Sequence, residues 1–137
     1  MNDESQSLMT NKKMDQLIQK YGAEIEGSLG YWVFTFKSYQ LVVITDEHHN
    51  RMRVMSAIAS KETIATADLE NMLAANFDRA LDAKYALNGE YIYAVFTHPL
   101  KELTTEQFLD ALLQVKNLAE NYGTSYQSTD LQFNGGS

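Results

Sequence analysis

Residues 31 to 58, YWVFTFKSYQLVVITDEHHNRMRVMSAI, decide the fold of this chain. Aromatic residues alternate over 31–37 as they do in a β-strand, and 40–45 is an almost unbroken apolar run, typical of a strand covered on both faces. Residues 51–58 alternate again. Because the connections are too short for a parallel crossover, the three strands are predicted to form an antiparallel meander.

A short amphipathic helix is predicted before the meander. It begins after Asn11, taken as the N-cap, and ends at Gly22, where a left-handed residue is favoured. Its apolar residues recur at the spacing of one helical face, and they are Met14, Leu17, Ile18 and Tyr21.

Helix, hairpin and helix are predicted after the meander. The second helix spans 67–77 with Thr66 as its N-cap, and its apolar stripe is Leu69, Met72, Leu73 and Phe77. Strands over 81–87 and 91–96 flank Asn88-Gly89, which is typical of a type I′ turn. The last helix opens with a capping-box pattern, Thr104 to Gln107, and stops at Gly123. The order α-βββ-α-ββ-α predicts an α+β domain with an antiparallel five-stranded sheet.

Length and composition predict one globular domain and limit its chemistry. The chain has 137 residues, and we expect a flexible tail over 1–10, a domain over 11–126 and a second tail over 127–137. A net charge of -7 disfavours nucleic-acid binding, and the absence of cysteine excludes disulfides, Cys-ligated zinc and thiol catalysis. No apolar run approaches a membrane span and the N-terminus lacks a signal-peptide pattern, so the expected location is the cytoplasm.

Two polar clusters are candidate sites. Residues 46–49, Asp-Glu-His-His, resemble a metal site, but neighbouring side chains on an extended backbone point to opposite sides, so a solvated turn is favoured. The second cluster is the corner between the second helix and the following strand, with Asp78, Arg79 and Asp82, to which His98 is added. His98 precedes Pro99 without a nucleophile, which favours a structural role over that of a base. We predict that the chain is not an enzyme and that it needs no cofactor.

The strands and the last helix carry more apolar residues than the three predicted helices can cover. Leu109 and Leu113 widen the apolar arc of the last helix, and the strands carry apolar residues on both faces. Such a surplus usually marks an interface with a partner protein.

Four stretches resemble a bacterial family of small proteins. They are NFDRALDAKYAL at 76–87, FTHPL at 96–100, QVKNLA at 114–119 and YGTSY at 122–126. The chain, from about Lys12 to Phe133, is similar to the type III secretion chaperone-like superfamily, which includes the Tir chaperone family and YbjN-type domains. The resemblance implies a cytosolic homodimer that binds an extended segment of another polypeptide without ATP and without catalytic residues.

These expectations assign residues to surfaces. Partner binding is predicted for Met14, Leu17, Ile18, Tyr21, Tyr31, Val33 and Met55. The dimer interface is predicted to include Leu69, Met72, Leu73, Leu109 and Leu113. The alternative function is a small-molecule or metal-sensing domain that uses either Asp78, Arg79, Asp82 and His98 or the turn at 46–49.

Overall fold

The computed structural model describes residues 8–131. Residues 1–7 and 132–137 belong to the two predicted tails and lie outside the described residues. A short 3-10 turn, Lys61–Thr63, precedes the second helix. The helices and strands, in chain order, are α1 Asn11–Tyr21, β1 Ala23–Ser28, β2 Tyr31–Phe36, β3 Tyr39–Asp46, β4 Arg51–Ser60, α2 Thr66–Asp78, β5 Lys84–Asn88, β6 Tyr91–His98 and α3 Thr105–Asn121.

Six strands form one antiparallel sheet in the order β1-β2-β3-β4-β6-β5. The predicted α+β class and antiparallel arrangement are confirmed, whereas the prediction of five strands was wrong because it missed β1. This edge strand reads AEIEGS and is almost wholly exposed, so it shows no alternation of polar and apolar residues. A bulge between Ala23 and Glu26, and a φ of 109° at Gly27, let it pair with β2.

One face of the sheet, here called the inner face, carries the core. Its fully buried side chains include Trp32, Phe34, Leu41, Val43 and Val54. The long helix α3 lies against this face and buries Phe108, Ala111, Leu112, Val115 and Leu118. The predicted capping box at its start is confirmed, since Thr104 and Gln107 exchange side-chain and backbone hydrogen bonds of 2.9 and 3.0 Å.

Helix α1 covers the inner face at the β2 end. Its N-cap is Thr10 rather than the predicted Asn11, because the Thr10 hydroxyl accepts from the backbone N–H of Lys13. Gly22 ends the helix as predicted. Its φ of -99° lies outside the left-handed region, where the sequence had placed this residue. Glycine is needed there for space, since a Cβ would lie 2.8 Å from the Phe34 ring.

The region around α2 and β5 departs from prediction in three places. Helix α2 starts at Thr66 itself, after Ala65, without a side-chain cap. Strand β5 begins at Lys84 and not at 81, because Leu81 has a φ of 57° and leaves the extended conformation. In the hairpin that follows, Asn88 pairs with Tyr91, so the central turn residues are Gly89 and Glu90 rather than Asn88 and Gly89. Of these two, only Gly89 has a positive φ, which fits a type II′ turn rather than the predicted type I′ turn.

Residues near both ends of the described range pack onto the domain. Met9 is buried, and its backbone N–H donates to the carbonyl of Lys101 at 3.1 Å. Ser128 is also buried, and its hydroxyl donates to the carbonyl of Ala80 at 2.6 Å. Met9 and Ser128 lie in the ranges 1–10 and 127–137 that were predicted to be tails. The domain limits of 11–126 stay a prediction.

Candidate protein-binding surfaces

The most exposed apolar residues of α2 form a line along the helix. Leu69, Leu73 and Phe77 follow one another at intervals of four residues, and Leu73 and Phe77 are 70% and 77% exposed. Leu87 of β5, which is 56% exposed, lies beside this line. These four residues are called the α2 surface below. Beneath this line, Met72 and Ala75 are the residues of α2 that are buried against the sheet.

A groove of about 250 Å³ lies between α2 and β5, next to the α2 surface. Its walls are almost entirely apolar and include Leu69, Leu73, Leu87 and Ile92. Tyr85 lines the groove, and its buried hydroxyl donates to the carbonyl of Leu118 at 2.9 Å. Burial raises the pKa of the Tyr85 hydroxyl well above its ordinary value, so this hydroxyl stays protonated and neutral.

Asn76 fixes α2 to the edge of the sheet. Its side-chain amide donates to the Tyr85 carbonyl at 3.0 Å and accepts from the Tyr85 N–H at 2.8 Å. The Asn76 carbonyl accepts from the Lys84 ammonium at 2.7 Å. The amide therefore takes the place of a neighbouring strand at Tyr85 and sets the height of the α2 surface above the sheet.

The residues predicted for the dimer interface divide between surface and core. Leu69 and Leu73 lie on the α2 surface, whereas Met72 is buried beneath it. Leu109 and Leu113 of α3 are partly buried and pack against the core. Phe77 and Leu87 were not predicted as interface residues, because their spacing from their neighbours is equally typical of a buried stripe.

A second apolar region covers the face of the sheet that is opposite to the helices, here called the outer face. Strand pairing places Val33, Val42, Met55 and Val95 side by side across four strands. All four are partly exposed. Next to them, Tyr31, Ile44, Arg53 and Thr97 form a parallel row.

The residues predicted for partner binding fall in two places. Tyr31, Val33 and Met55 lie on the outer face. In α1, Met14 and Ile18 are fully buried in the core of the same chain, so their side chains are not accessible to a partner. Leu17 is half-buried against the core, and Tyr21 is exposed.

The predicted polar corner is not one cluster. Arg79 bonds Asp78 at 2.7 Å, next to the end of α2. Asp82 and His98 instead line a separate depression of about 410 Å³, which also includes Asp110. His98 is bonded through Nδ1 to the Pro99 carbonyl at 2.8 Å, which agrees with a structural role at the strand end.

Sequence reasoning missed the residue that organises this corner, Gln114. Its side chain is fully buried in α3. Its Oε1 accepts from the backbone N–H groups of Asp82 and Ala83, both at 3.0 Å. Its Nε2 donates to the carboxylates of Asp82 and Asp110 at 3.1 and 2.7 Å. A polar residue inside the apolar stripe of α3 was the available signal.

The turn at residues 46–49 is a closed hydrogen-bonded loop. The Asp46 carboxylate accepts from the backbone N–H of His49 at 3.0 Å and is bonded to its Nδ1 at 2.8 Å. Within residues 8–131, no group of three or more His, Cys, Asp or Glu side chains is arranged to hold a metal ion. The hydrogen bonds from His49, the backbone one first, lower the pKa of Asp46.

Replacing His49 with alanine is expected to raise the pKa of Asp46 part of the way to its ordinary value. The backbone hydrogen bond stays and the side-chain bond is lost. Because the folded-state pKa is lowered, Asp46 stabilises the fold above its unfolded-state pKa, and this contribution disappears as the pH falls through the folded-state pKa. A carboxyl ¹³C NMR titration measures the shift. His48→Ala is the control and is expected to have a smaller effect, because His48 acts on Asp46 only through its charge, the smallest of the causes that lower this pKa. An unchanged Asp46 pKa in His49→Ala would contradict the assigned cause.

Comparison with known proteins rests on three-dimensional structure. No family model and no curated protein matches the sequence. Among the helices of residues 8–131, none has the length and apolar character needed to cross a membrane.

Two solved structures have a similar fold. A chain of the HopA1–SchA chaperone–effector complex matches with a TM-score of 0.61 and 11% identity, over 82% of this chain and 92% of that one. A chain of the ExsC–ExsE complex matches with a TM-score of 0.61 and 12% identity, over the same shares of the two chains. The resemblance to YbjN-type domains stays a prediction, whereas the chain has a type III secretion chaperone-like fold, as the sequence predicted.

Proposed function

We propose that this chain is a non-enzymatic, cytoplasmic homodimer that binds an extended segment of another polypeptide. The exposed line of Leu69, Leu73 and Phe77 is the observation that carries the proposal. Monomeric proteins rarely leave such residues together in water, because burying one Leu or Phe side chain stabilises by roughly 1.5–3 kcal/mol.

A second copy of the chain is the best occupant of the α2 surface. A helix with apolar residues at every fourth position presents a straight ridge, and the groove beside it has matching apolar walls. In a two-fold dimer the ridge of each copy meets the groove of the other, so the same contact forms twice and the exposed residues of both copies are buried. The similar fold of proteins seen in complexes with effectors supports the second part of the proposal, the polypeptide partner.

Light scattering tests the dimer directly. At micromolar concentration we expect a mass of twice the 15.5 kDa of one chain. In Leu73→Asp, two carboxylates enter the interface of each dimer, so the dissociation constant is expected to rise by at least about 100-fold, and the mass to fall to that of a monomer.

The matched control is Leu29→Asp, because Leu29 is 62% exposed in the β1–β2 turn, outside the α2 surface. This variant is expected to remain a dimer. A monomeric mass for the unmodified protein at these concentrations would overturn the proposed homodimer.

The polypeptide partner is tested by affinity purification from the native host with mass spectrometry. The expected result is one protein recovered in stoichiometric amount, through a segment that protease digestion of the complex leaves protected. If a control column that carries the heat-denatured protein recovers the same amount of that partner, the result argues against specific binding.

A further inference from the structure

The outer face lacks a covering layer among the described residues. All three helices pack on the inner face, as the buried residues Met14, Met72 and Phe108 show. The row formed by Val33, Val42, Met55 and Val95 spans four strands that lie about 4.8 Å apart. A partner segment on this row would therefore cover about 14 Å of apolar sheet.

Arg53 is placed at the centre of this face. It lies in the row beside the apolar one, between Ile44 of β3 and Thr97 of β6. It borders two shallow depressions of about 350 Å³ each, one next to Ile44 and the other next to Met55 and Val95. A segment that occupied either depression would contact its guanidinium.

The positive charge of Arg53 has no ion-pair partner within residues 8–131. Among the described residues, the ion pairs involve His49, Arg79 and Lys116, and neither Arg53 nor Arg51 takes part in one. Arg51 donates to the Asn50 carbonyl. The carboxylate opposite Arg51 in the sheet belongs to Asp46, and it is already engaged by His49.

The remaining charged groups of the outer face leave this positive centre in place. Glu26 shares the face but lies opposite Val33 on the edge strand β1, three strands from Arg53. Lys84 pairs with Val95, and its ammonium is held by the Asn76 carbonyl at the other edge. In a chain of net charge -7, the centre of this apolar face is thus locally cationic.

We propose that the outer face binds a partner segment that carries a carboxylate among apolar side chains, and that Arg53 selects this carboxylate. The inference rests on the proposed function and specifies the chemistry of the polypeptide partner. A guanidinium pairs with a carboxylate through two parallel hydrogen bonds, and the pair strengthens where apolar neighbours exclude water. Arg51, in the adjacent position of the same face, adds to the positive potential.

The test uses the dimeric protein and fluorescein-labelled 12-residue peptides. Each peptide has four apolar residues, at either alternate or helical spacing, and carries Glu, Gln or Lys at one central position. Anisotropy is expected to give at least tenfold tighter binding for Glu than for Lys. Arg53→Glu should reverse this order, and Lys61→Glu, which changes an exposed lysine before α2, should leave it unchanged.

A second variant locates the site. Met55→Glu places a carboxylate in the apolar row and is expected to weaken binding of every peptide at least tenfold, with circular dichroism to verify the fold. Unchanged affinity in this variant would overturn the outer face as the site.

The outcomes separate the two proposals. If the Glu, Gln and Lys peptides bind with equal affinity, or if the preference for Glu survives in Arg53→Glu, the role of Arg53 is overturned and the proposed function still stands. Absence of binding to all the peptides by the unmodified protein overturns this inference, while the dimer and the recovered partner decide the proposed function independently.

Discussion

Replacing Gln114 with leucine is expected to lower the free energy of unfolding by about 3–5 kcal/mol. Leucine fills nearly the same volume, so the loss arises from hydrogen bonds rather than from a cavity. The backbone N–H groups of Asp82 and Ala83 lose their acceptor, and each unpaired group costs about 1–3 kcal/mol. The carboxylates of Asp82 and Asp110 lose the donor that lies between them.

The structural consequence extends beyond stability. Gln114 holds residues 82 and 83 on α3, and this fixes the point at which β5 enters the sheet. Since Leu87 of β5 belongs to the α2 surface, a displaced β5 also alters the proposed dimer interface. Gln114→Leu is therefore expected to weaken dimerisation although its side chain lies in the core.

Urea unfolding at fixed protein concentration measures the change, because the stability of a dimer depends on concentration. Gln19→Leu is the matched control, since Gln19 is exposed on α1, and its effect is expected to stay within about 0.5 kcal/mol. Gln114→Glu keeps the acceptor for both N–H groups and loses the donor, and it places a third carboxylate beside two others. Equal stability of Gln114→Leu and Gln19→Leu would show that the network contributes nothing.

The strands and α3 were predictable because their local signals agree with their tertiary contacts. Alternation over β2 and β4 matches the inner face, and the Thr104 capping box starts α3 where the sequence places it. Strand β1 was not predictable by the same means. An edge strand exposed on both faces needs no apolar residues, and its pairing depends on a bulge and on Gly27.

The candidate site was only partly predictable, because periodicity does not say which side of a stripe faces the core. The stripe of α1 suggested a partner surface, but Met14 and Ile18 are core residues. The stripe of α2 includes Phe77, which is the most exposed of its apolar residues. Whether a stripe is buried or exposed depends on which strands lie beneath the helix. Helix α2 lies over the short edge strand β5, which can cover little more than Met72 and Ala75.

Replacing Asn76 with leucine is expected to lower the free energy of unfolding by about 2–3 kcal/mol and to weaken the dimer. The two hydrogen bonds between its amide and the backbone of Tyr85 disappear, and the Tyr85 N–H and carbonyl lose their partners at the sheet edge. Hydrogen exchange isolates this effect. The amide of Tyr85 is expected to exchange much faster in the variant, whereas that of Ala86, which faces β6, changes only with global stability.

Two variants of the same helix distinguish this mechanism from a general effect of leucine. Asn71→Leu changes an exposed asparagine of α2 and is expected to keep both the stability and the dimer. Asn76→Asp retains the acceptor for the Tyr85 N–H and loses the donor. Its free energy of unfolding should therefore lie between those of Asn76→Leu and Asn71→Leu. Because the Asn76 amide occupies the strand edge at Tyr85, the proposed second copy is expected to meet the α2 surface through side chains rather than by strand addition. If Asn76→Leu instead formed larger assemblies than the unmodified protein, the amide would be shown to block strand pairing, and the dimer would not depend on the position of α2.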